Sequence, residues 1–478
     1  MSTKQKITRE ILESYLRCKT EATLKLRGES GTKSEYEIWS ASQTTRQRSA
    51  AAINLIKRRE GRMVAKNVVL TESIRETSPD IILGGCFEDE LLSISIDALV
   101  KDGDHSSKRS RSTYIPALFH DGEVRATQKA LLELFAVLAS ELQESDPVVG
   151  LIFPSNGKPK VVHLEPDLEF ARNTLCKVKE LHRGSASPML VLNSHCQVCE
   201  FQNRCYAEAV KEDNLSLLHG MKERQIISLN QKGIFTINQL SYTFKMKRKP
   251  KRAKKALDKH QFALRALALR EKKIFVHSSP AITLHGTRIY LDIEGTPQHG
   301  TYYLIGVITV SGEHETYKAY WADSESELDQ RDIFAKLLDH LSQFPDYRLL
   351  HFGSYEGVAL RRMKGRMAEP YRQQIEDVLK HAVNILGIIS PCVYFPTRSN
   401  SLKEIGRFLG CQWSDPFSSG VQTLVWRARW LDSQEPSLKE TLIRYNNEDC
   451  AALRSVFEFL ERALAPSAVF SRARMSVG

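Results

Sequence analysis

Tyr290-Leu291-Asp292-Ile293-Glu294-Gly295 is the stretch on which the reading of this chain turns. It closes an apolar run, and the period of two along a strand puts Asp292 and Glu294 on one face while Ile293 points to the other. Two carboxylates side by side repel each other unless a cation lies between them, and hard divalent cations choose carboxylate oxygens. A solvated strand end is the favoured explanation of an isolated Asp-x-Glu, so the surrounding sequence has to decide.

The surroundings predict an α/β unit. Residues 289–294 and 302–310 read as consecutive strands, 317–321 as a third, 326–342 as a helix and 348–352 as a fourth strand. That order implies a mixed sheet with helices on its faces. His351-Phe352-Gly353-Ser354-Tyr355-Glu356 follows the fourth strand and supplies a carboxylate at the start of a helix. Near the end, Tyr445-Asn446-Asn447-Glu448-Asp449 falls in a helical stretch, where the i, i+4 spacing stacks a phenol and a carboxylate on one face. Between them Ser401-Leu402-Lys403-Glu404 has the form of a capping box, opening a helix that stops at Gly410.

Composition limits what such a unit serves. The chain has 478 residues, 42% hydrophobic and 26% charged, enough for two or three domains with their own cores and too apolar for a mainly disordered chain. No apolar run approaches the roughly 20 residues of a membrane helix. The opening Met-Ser-Thr-Lys-Gln-Lys carries no apolar signal region, so a soluble, cytoplasmic, nucleoid-associated protein with no membrane partner is expected. The net charge of +11 suits a partner rich in phosphates without saying which one. Residues 245–255 hold eight basic side chains and no acid: Lys245, Lys247, Arg248, Lys249, Lys251, Arg252, Lys254 and Lys255. Such a run serves either as a solvated linker or as a flexible clamp on nucleic acid.

The ordered set Asp292-x-Glu294, then Glu356, then Tyr445-x-x-x-Asp449 resembles the DEDD exonucleases of the ribonuclease H-like superfamily, in their tyrosine subclass. The words Tyr290 to Gly295 and Ser401-Leu402-Lys403-Glu404-Ile405-Gly406 look like its YprB-type branch. The resemblance implies that Asp292, Glu294, Glu356 and Asp449 hold two Mg²⁺ or Mn²⁺ ions and that Tyr445 orients the attacking water. It also implies 3′-to-5′ removal of nucleotides from single-stranded ends. One departure is visible, since the third acid is usually Asp and here is Glu356. A lysine lodged among the four acids would be incompatible with this reading.

The first half is also α/β. Residues 7–26 read as one helix with Cys18 near its middle, 34–59 as a second helix, and 68–70 and 81–85 as short strands. Residues 91–100 read as a longer strand, 114–119 as another, and 126–143 as a strongly periodic helix. Cys196-x2-Cys199-x5-Cys205 is a compact trio lacking a fourth ligand. Cys18 would complete a four-thiolate set, while His195 or His219 would complete a zinc site. Residues 221–242 fit two short helices joined at Lys232-Gly233-Ile234, which suits either a helix-hairpin-helix or plain packing. A helix over 256–272 precedes a boundary near residue 280.

An N-terminal cysteine paired with a later trio around an α/β core resembles the iron-sulfur RecB-like nucleases, which have a restriction-endonuclease-like, PD-(D/E)xK core. The resemblance implies a [4Fe-4S] cluster on Cys18, Cys196, Cys199 and Cys205, with Zn²⁺ as the alternative. Such cores use a strand Asp, a Glu-x-Lys and a helix Gln. Asp97 and Gln128 fill the first and last places, but the middle strand reads Tyr114-Ile115-Pro116-Ala117-Leu118-Phe119-His120 and carries neither the acid nor the lysine. Together with His195-Cys196-Gln197-Val198-Cys199-Glu200-Phe201, this wording looks like a RecB-like family with an altered motif, which implies a degenerate site that binds more than it cuts. His120, Asp121 and Glu123 leave room for unusual chemistry there.

The expectation is therefore a RecB-like domain over 1–215, a helix-hairpin-helix-like and basic helical segment over 216–280, and a ribonuclease H-like DEDD exonuclease over 281–478. The function expected is metal-dependent hydrolysis of DNA or RNA. The alternative is a non-catalytic nucleic-acid adaptor in a defence, repair or mobile-element assembly. No Gly-x4-Gly-Lys-Ser/Thr occurs, so unwinding is assigned to a separate helicase.

Overall fold

A computed structural model describes residues 5–464, apart from 72–76, 102–113, 144, 165–167, 186, 245–257, 278–284, 297–299 and 416–417. The eight basic side chains from Lys245 to Lys255 lie outside the described residues. The chain divides into two compact units, 1–205 and 206–478. Among the described residues no helix is long and apolar enough to cross a membrane.

In the first unit a short strand β1 (Ile7–Thr8) leads into α1 (Arg9–Arg17) and α2 (Lys19–Leu26). Residues 7–26 are thus not one helix. Cys18 is extended, with φ −156° and ψ 114°, and turns the chain between two helices. After α3 (Glu35–Arg58), capped by Ser34, come β2 (Val64–Lys66), β3 (Ile81–Leu83), β4 (Cys86–Glu88), β5 (Leu92–Ser95), β6 (Ala98–Lys101), β7 (Tyr114–Phe119), α4 (Ala126–Ser140), β8 (Val149–Phe153), β9 (Lys160–His163) and α5 (Glu169–Arg183). Residues 91–100, expected as one strand, are two. β5 pairs with β1 and β4 in a three-stranded sheet, whereas β6 joins a six-stranded sheet of order β2-β3-β6-β7-β8-β9, and Asp97 sits at the break.

The larger sheet is mixed, and its inner strands are buried on both faces. Ile115, Ala117 and Phe119 of β7 face Ala51 and Leu55 of α3, while Leu118 faces the core built with α1, α4 and α5. Alternation along β7 therefore places an apolar layer on each side, as period-2 geometry requires of a strand covered by helices on both faces. The 3₁₀ turn Ser194–Val198 closes the unit, and its boundary falls inside α6 (Gln202–Lys211).

The second unit opens with α7 (Glu223–Asn230) and α8 (Ile237–Ser241), joined through Gly233. Then come α9 (Asp258–Glu271), β10 (Phe275–Val276), β11 (Thr287–Thr296), β12 (Thr301–Ser311), β13 (His314–Trp321), α10 (Glu327–Leu341), β14 (Tyr347–His351), α11 (Tyr355–Lys364), α12 (Tyr371–His381), β15 (Ala382–Asn384), α13 (Ile385–Cys392), β16 (Val393–Tyr394), α14 (Leu402–Phe408), α15 (Gly420–Ser433) and α16 (Pro436–Leu464).

The main sheet runs β13-β12-β11-β14-β15. β11, β12 and β13 form an antiparallel meander, and β14 and β15 add in parallel through helical crossovers. One face meets α10, α11 and α12. Across the other lies α16, whose buried Leu442, Tyr445, Asn446, Asp449, Cys450, Leu453, Val456, Phe457 and Leu460 recur every three or four residues. That stripe is why a helix near the end of the chain crosses the strand face carrying Asp292 and Glu294.

Candidate active site

The site forms where α16 crosses β11. Asp292 pairs in register with Gly306 of β12, and Glu294 with Leu304. A Cβ on Gly306 would lie 1.5 Å from Oδ1 of Asn446, so only glycine leaves room for α16 to bring that amide down onto the sheet. Beyond Glu294 the register shifts by a bulge at Gly295, where an added Cβ would meet the Thr301 carbonyl at 2.3 Å. Such a bulge re-aims the strand next to a functional side chain.

Asp292, Glu294 and Asp449 converge, with one carboxylate oxygen from each within 4.8 Å of the others. Glu356, in the first turn of α11, is buried, and its Oε2 lies 3.3 Å from Nδ1 of His351. It stands outside the group of three, yet its charge acts on both Asp292 and Glu294. Tyr445 lies one turn before Asp449 on α16, and its phenol and that carboxylate act on each other's ionisation.

Neutral donors hold the acids in place. Asn446 Nδ2 donates to Asp292 Oδ2 at 2.6 Å, Trp413 Nε1 to Asp449 Oδ1 at 2.7 Å, and Thr423 Oγ1 to Glu294 Oε2 at 3.1 Å. Asn446 is itself fixed by the Tyr317 hydroxyl, which donates to its Oδ1 at 2.9 Å. Lys403 is a cation whose charge acts on Glu294 and Asp449. Its ammonium donates to Ser418 at 2.6 and 3.1 Å and sits 4.4 Å from the Tyr445 ring centre, and it pairs with none of the three acids. It flanks the cluster rather than filling it.

The electrostatics follow from burial without a counter-charge. Burial, then the charges of Glu294, Asp449 and Glu356, push the Asp292 carboxyl well above the usual carboxylate range, against the Asn446 hydrogen bond. Burial and Asp449 push Glu294 up to about 8, against Thr423 and Lys403. Burial raises Asp449 too, despite Lys403, Trp413 and Tyr445. A donor set made only of oxygens, repelling itself and holding no partner cation among the described residues, fits hard divalent ions.

Motif reading identified the three converging acids and Tyr445. It passed over Asn446 and Trp413, although Asn446 lies inside the quoted Tyr445–Asp449 word, and it had no pattern with which to find Thr423.

In the first unit Cys18, Cys196, Cys199 and Cys205 line one small cavity together with Glu21 and His195. Cys18 occupies the α1–α2 break, Cys196 the 3₁₀ turn and Cys205 helix α6. Burial raises the Cys18 and Cys196 thiols and pushes Cys199 up to about 12. The donor atoms that close within 4.8 Å of one another are those of Glu21, His195 and Cys199 rather than the four thiols. Burial opposes ionisation of Glu21, but a hydrogen bond to His195 at 3.0 Å, Arg17, Lys25 and Ser14 hold its carboxyl down to about 2. His219 belongs to the second unit.

Asp97 does not stand open. Arg9 grips its two oxygens at 2.5 and 3.0 Å, and the Phe119 N–H donates to Oδ2 at 2.9 Å. Gln128 accepts from the Arg125 N–H at 3.2 Å, capping its own helix.

Compared with known proteins, the chain has no match among curated sequences. Residues 289–461, which span β11 to α16 and all five residues of the acidic site, match the family model described as RNase_H superfamily, so the second unit carries a ribonuclease H-like, nuclease-type domain.

Proposed function

We propose that the second unit is a two-metal-ion nuclease that removes nucleotides from the 3′ ends of single-stranded DNA or RNA. The observation that carries the reading is the convergence of Asp292, Glu294 and Asp449 within 4.8 Å, with Glu294 and Asp449 buried, Asp292 half-buried, and no cationic partner among the described residues. Asp292, Glu294 and Asp449 would hold the ions, with Glu356 as the fourth ligand beside them. Divalent ions bound there would supply a water of lowered pKa and a counter-charge for the leaving oxygen. The chain's own contributions are distinct. Asn446, Trp413 and Thr423 each take one oxygen of a ligating carboxylate and fix its rotamer, leaving the others for ions. Tyr445 holds its phenol beside Asp449, where it can orient a water for in-line attack. The 3′-to-5′ polarity rests on the resemblance to the tyrosine subclass of DEDD exonucleases.

The first unit, in this reading, is RecB-like and binds the strand without cutting it. Arg9 stands at both oxygens of Asp97, where a catalytic ion would have to bind. A [4Fe-4S] cluster on Cys18, Cys196, Cys199 and Cys205 is supported by four thiols around one cavity. Zinc–sulfur bonds of about 2.3 Å would draw four sulfurs tightly together, whereas the donor atoms that close within 4.8 Å here are those of Glu21, His195 and Cys199. Its part would be to tie the α1–α2 break to the 3₁₀ turn and α6.

The test is digestion of end-labelled oligonucleotides by the wild type and by the double variant Asp292→Asn, Glu294→Gln. Loss of Mn²⁺-dependent digestion in the variant supports the assignment, and equal digestion by both overturns it. Wild-type protein that binds the oligonucleotides but never digests them would establish the adaptor instead. For the cluster, a band near 400 nm that bleaches on oxidation supports iron, whereas colourless protein with stoichiometric zinc removes it.

A further inference from the structure

The first unit holds a second feature, which the nuclease site does not use. A cavity of about 300 Å³ opens beside Asp97, and its walls carry Arg9, Arg48, Lys66, Asn67 and Ser95. Asp97 contributes little free negative charge to it. Both its oxygens are taken by Arg9 and one also by the Phe119 N–H, a paired geometry that compensates the carboxylate and fixes the guanidinium.

The other two cations are less engaged. Arg48 donates one terminal nitrogen to Glu13 at 3.1 Å. Its Nε is buried without a hydrogen-bond partner, 3.8 Å from Asp97 and beyond bonding range. A buried N–H left unpaired calls for an acceptor. Lys66, at the end of β2, makes no ion pair among the described residues. Three cations against Asp97 and Glu13 leave the cavity positive, and two arginines at its floor repel any metal ion. Asn67 and Ser95 add neutral donors at the wall. The chemistry that satisfies such a lining is a tetrahedral oxyanion, which presents several acceptors to a planar guanidinium fork and an ammonium at once.

We propose that the Arg9–Arg48–Lys66 cavity binds a phosphate group, with Arg9 standing permanently where a nuclease metal would sit and Arg48 and Lys66 contacting the phosphate oxygens. The inference rests on the reading of the first unit as a strand-holding domain insofar as the phosphate is one borne by a nucleic-acid backbone. Free phosphate presents the same chemistry, and the experiment separates the two.

The experiment uses the full chain carrying Asp292→Asn and Glu294→Gln, so that no probe is consumed. A labelled 12-nucleotide single strand is titrated by fluorescence anisotropy across a salt series, and inorganic phosphate is titrated by calorimetry. Both are repeated with Arg48→Ala plus Lys66→Ala and with Arg48→Lys. The double alanine variant is expected to bind the strand at least tenfold more weakly, with a salt slope shallower by roughly 1 to 1.5, as two lost contacts to a single strand require. Arg48→Lys should keep the slope while losing part of the affinity. If the strand is unaffected but phosphate binding is lost in the alanine variant, the pocket stands as a free-phosphate site and the strand-holding reading of the first unit falls. Unchanged binding of both probes overturns the proposal. Loss of digestion by the Asp292 and Glu294 variant is scored separately, so the nuclease reading stands or falls without reference to this cavity.

Discussion

Asn446 hands its side-chain amide to Asp292 at 2.6 Å from a helix that begins 144 positions further along the chain, at Pro436, and it can do so only because Gly306 has no side chain. Strand register puts Gly306 directly opposite Asp292. The acid, the amide and the missing Cβ therefore form one unit, although they come from three elements.

Gly306→Ala is accordingly expected to act on the site rather than on the strand. An added Cβ 1.5 Å from Asn446 Oδ1 must expel the amide or lift α16. Overpacking of this kind costs about 1–3 kcal/mol, and loss of the amide from Asp292 should weaken metal binding about 10–100-fold. Chemical denaturation and Mn²⁺ titration measure the two effects. Asn446→Ala in the same background should relieve most of the strain without restoring metal affinity.

Metal and proton should compete. Asp292 and Glu294 have folded pKa values raised above their ordinary ones, Glu294 to about 8. For an acid shifted upward, the favourable contribution is fully present below the ordinary carboxylate value, near 4.5, and is lost as pH rises through about 8. Metal-free protein in chelator should therefore melt at progressively lower temperature between pH 5 and 8.5. Saturating Mg²⁺ should reverse the trend, adding about 2.7 kcal/mol at a hundred times its dissociation constant. A chelated protein whose melting temperature is flat over this range, and which Mg²⁺ leaves unmoved, would show that the acids are not a metal site.

Most of what positions this site is legible in the sequence, for a physical reason. The β11–β12–β13 meander and α10 follow from local periodicity, and expected bounds differ from the observed ones by a few residues. Asp292-Ile293-Glu294 could be placed on one face because strand alternation is local as well. What escaped depends on contacts across the chain. Residues 91–100 look like one strand, yet the chain passes at Asp97 from β5 in one sheet to β6 in another, and the Asp97 carboxylate is held by Arg9, 88 residues away. Residues 7–26 look like one helix, yet the chain turns at Cys18 toward the other thiols. Trp413 and Thr423 have no motif, since a donor to a buried carboxylate can come from any residue that carries an N–H or O–H in the right place.

Tyr445→Phe separates orientation from ligation. The converging carboxylates are those of Asp292, Glu294 and Asp449, and the phenol of Tyr445 lies beside Asp449 one helical turn earlier. The variant should keep the Mg²⁺-induced rise in melting temperature, while digestion slows about 10²-fold or more through loss of water positioning. Thermal shift and single-turnover digestion on the same sample check this. A parallel loss of both would make Tyr445 part of the ligand scaffold instead.

Arg9→Ala tests the closed state of the first unit. Asp97 is 9% exposed, and without Arg9 its charge is left beside only the Phe119 N–H and a more distant Arg48. Breaking a buried pair by removing one partner costs about 3–5 kcal/mol. Arg9→Ala should therefore destabilise the protein by that order, and adding Asp97→Ala should recover a substantial part, because the uncompensated charge is gone. The same single variant frees both Asp97 oxygens. If it acquires Mn²⁺-dependent cleavage in the Asp292→Asn, Glu294→Gln background, Arg9 alone kept this site silent. If it stays inactive, as the missing acid and lysine on the Tyr114–Phe119 strand lead us to expect, the site lacks chemistry as well as metal. A double-mutant cycle in denaturant, with digestion assayed on each corner, distinguishes the pair's contribution to stability from its effect on cleavage.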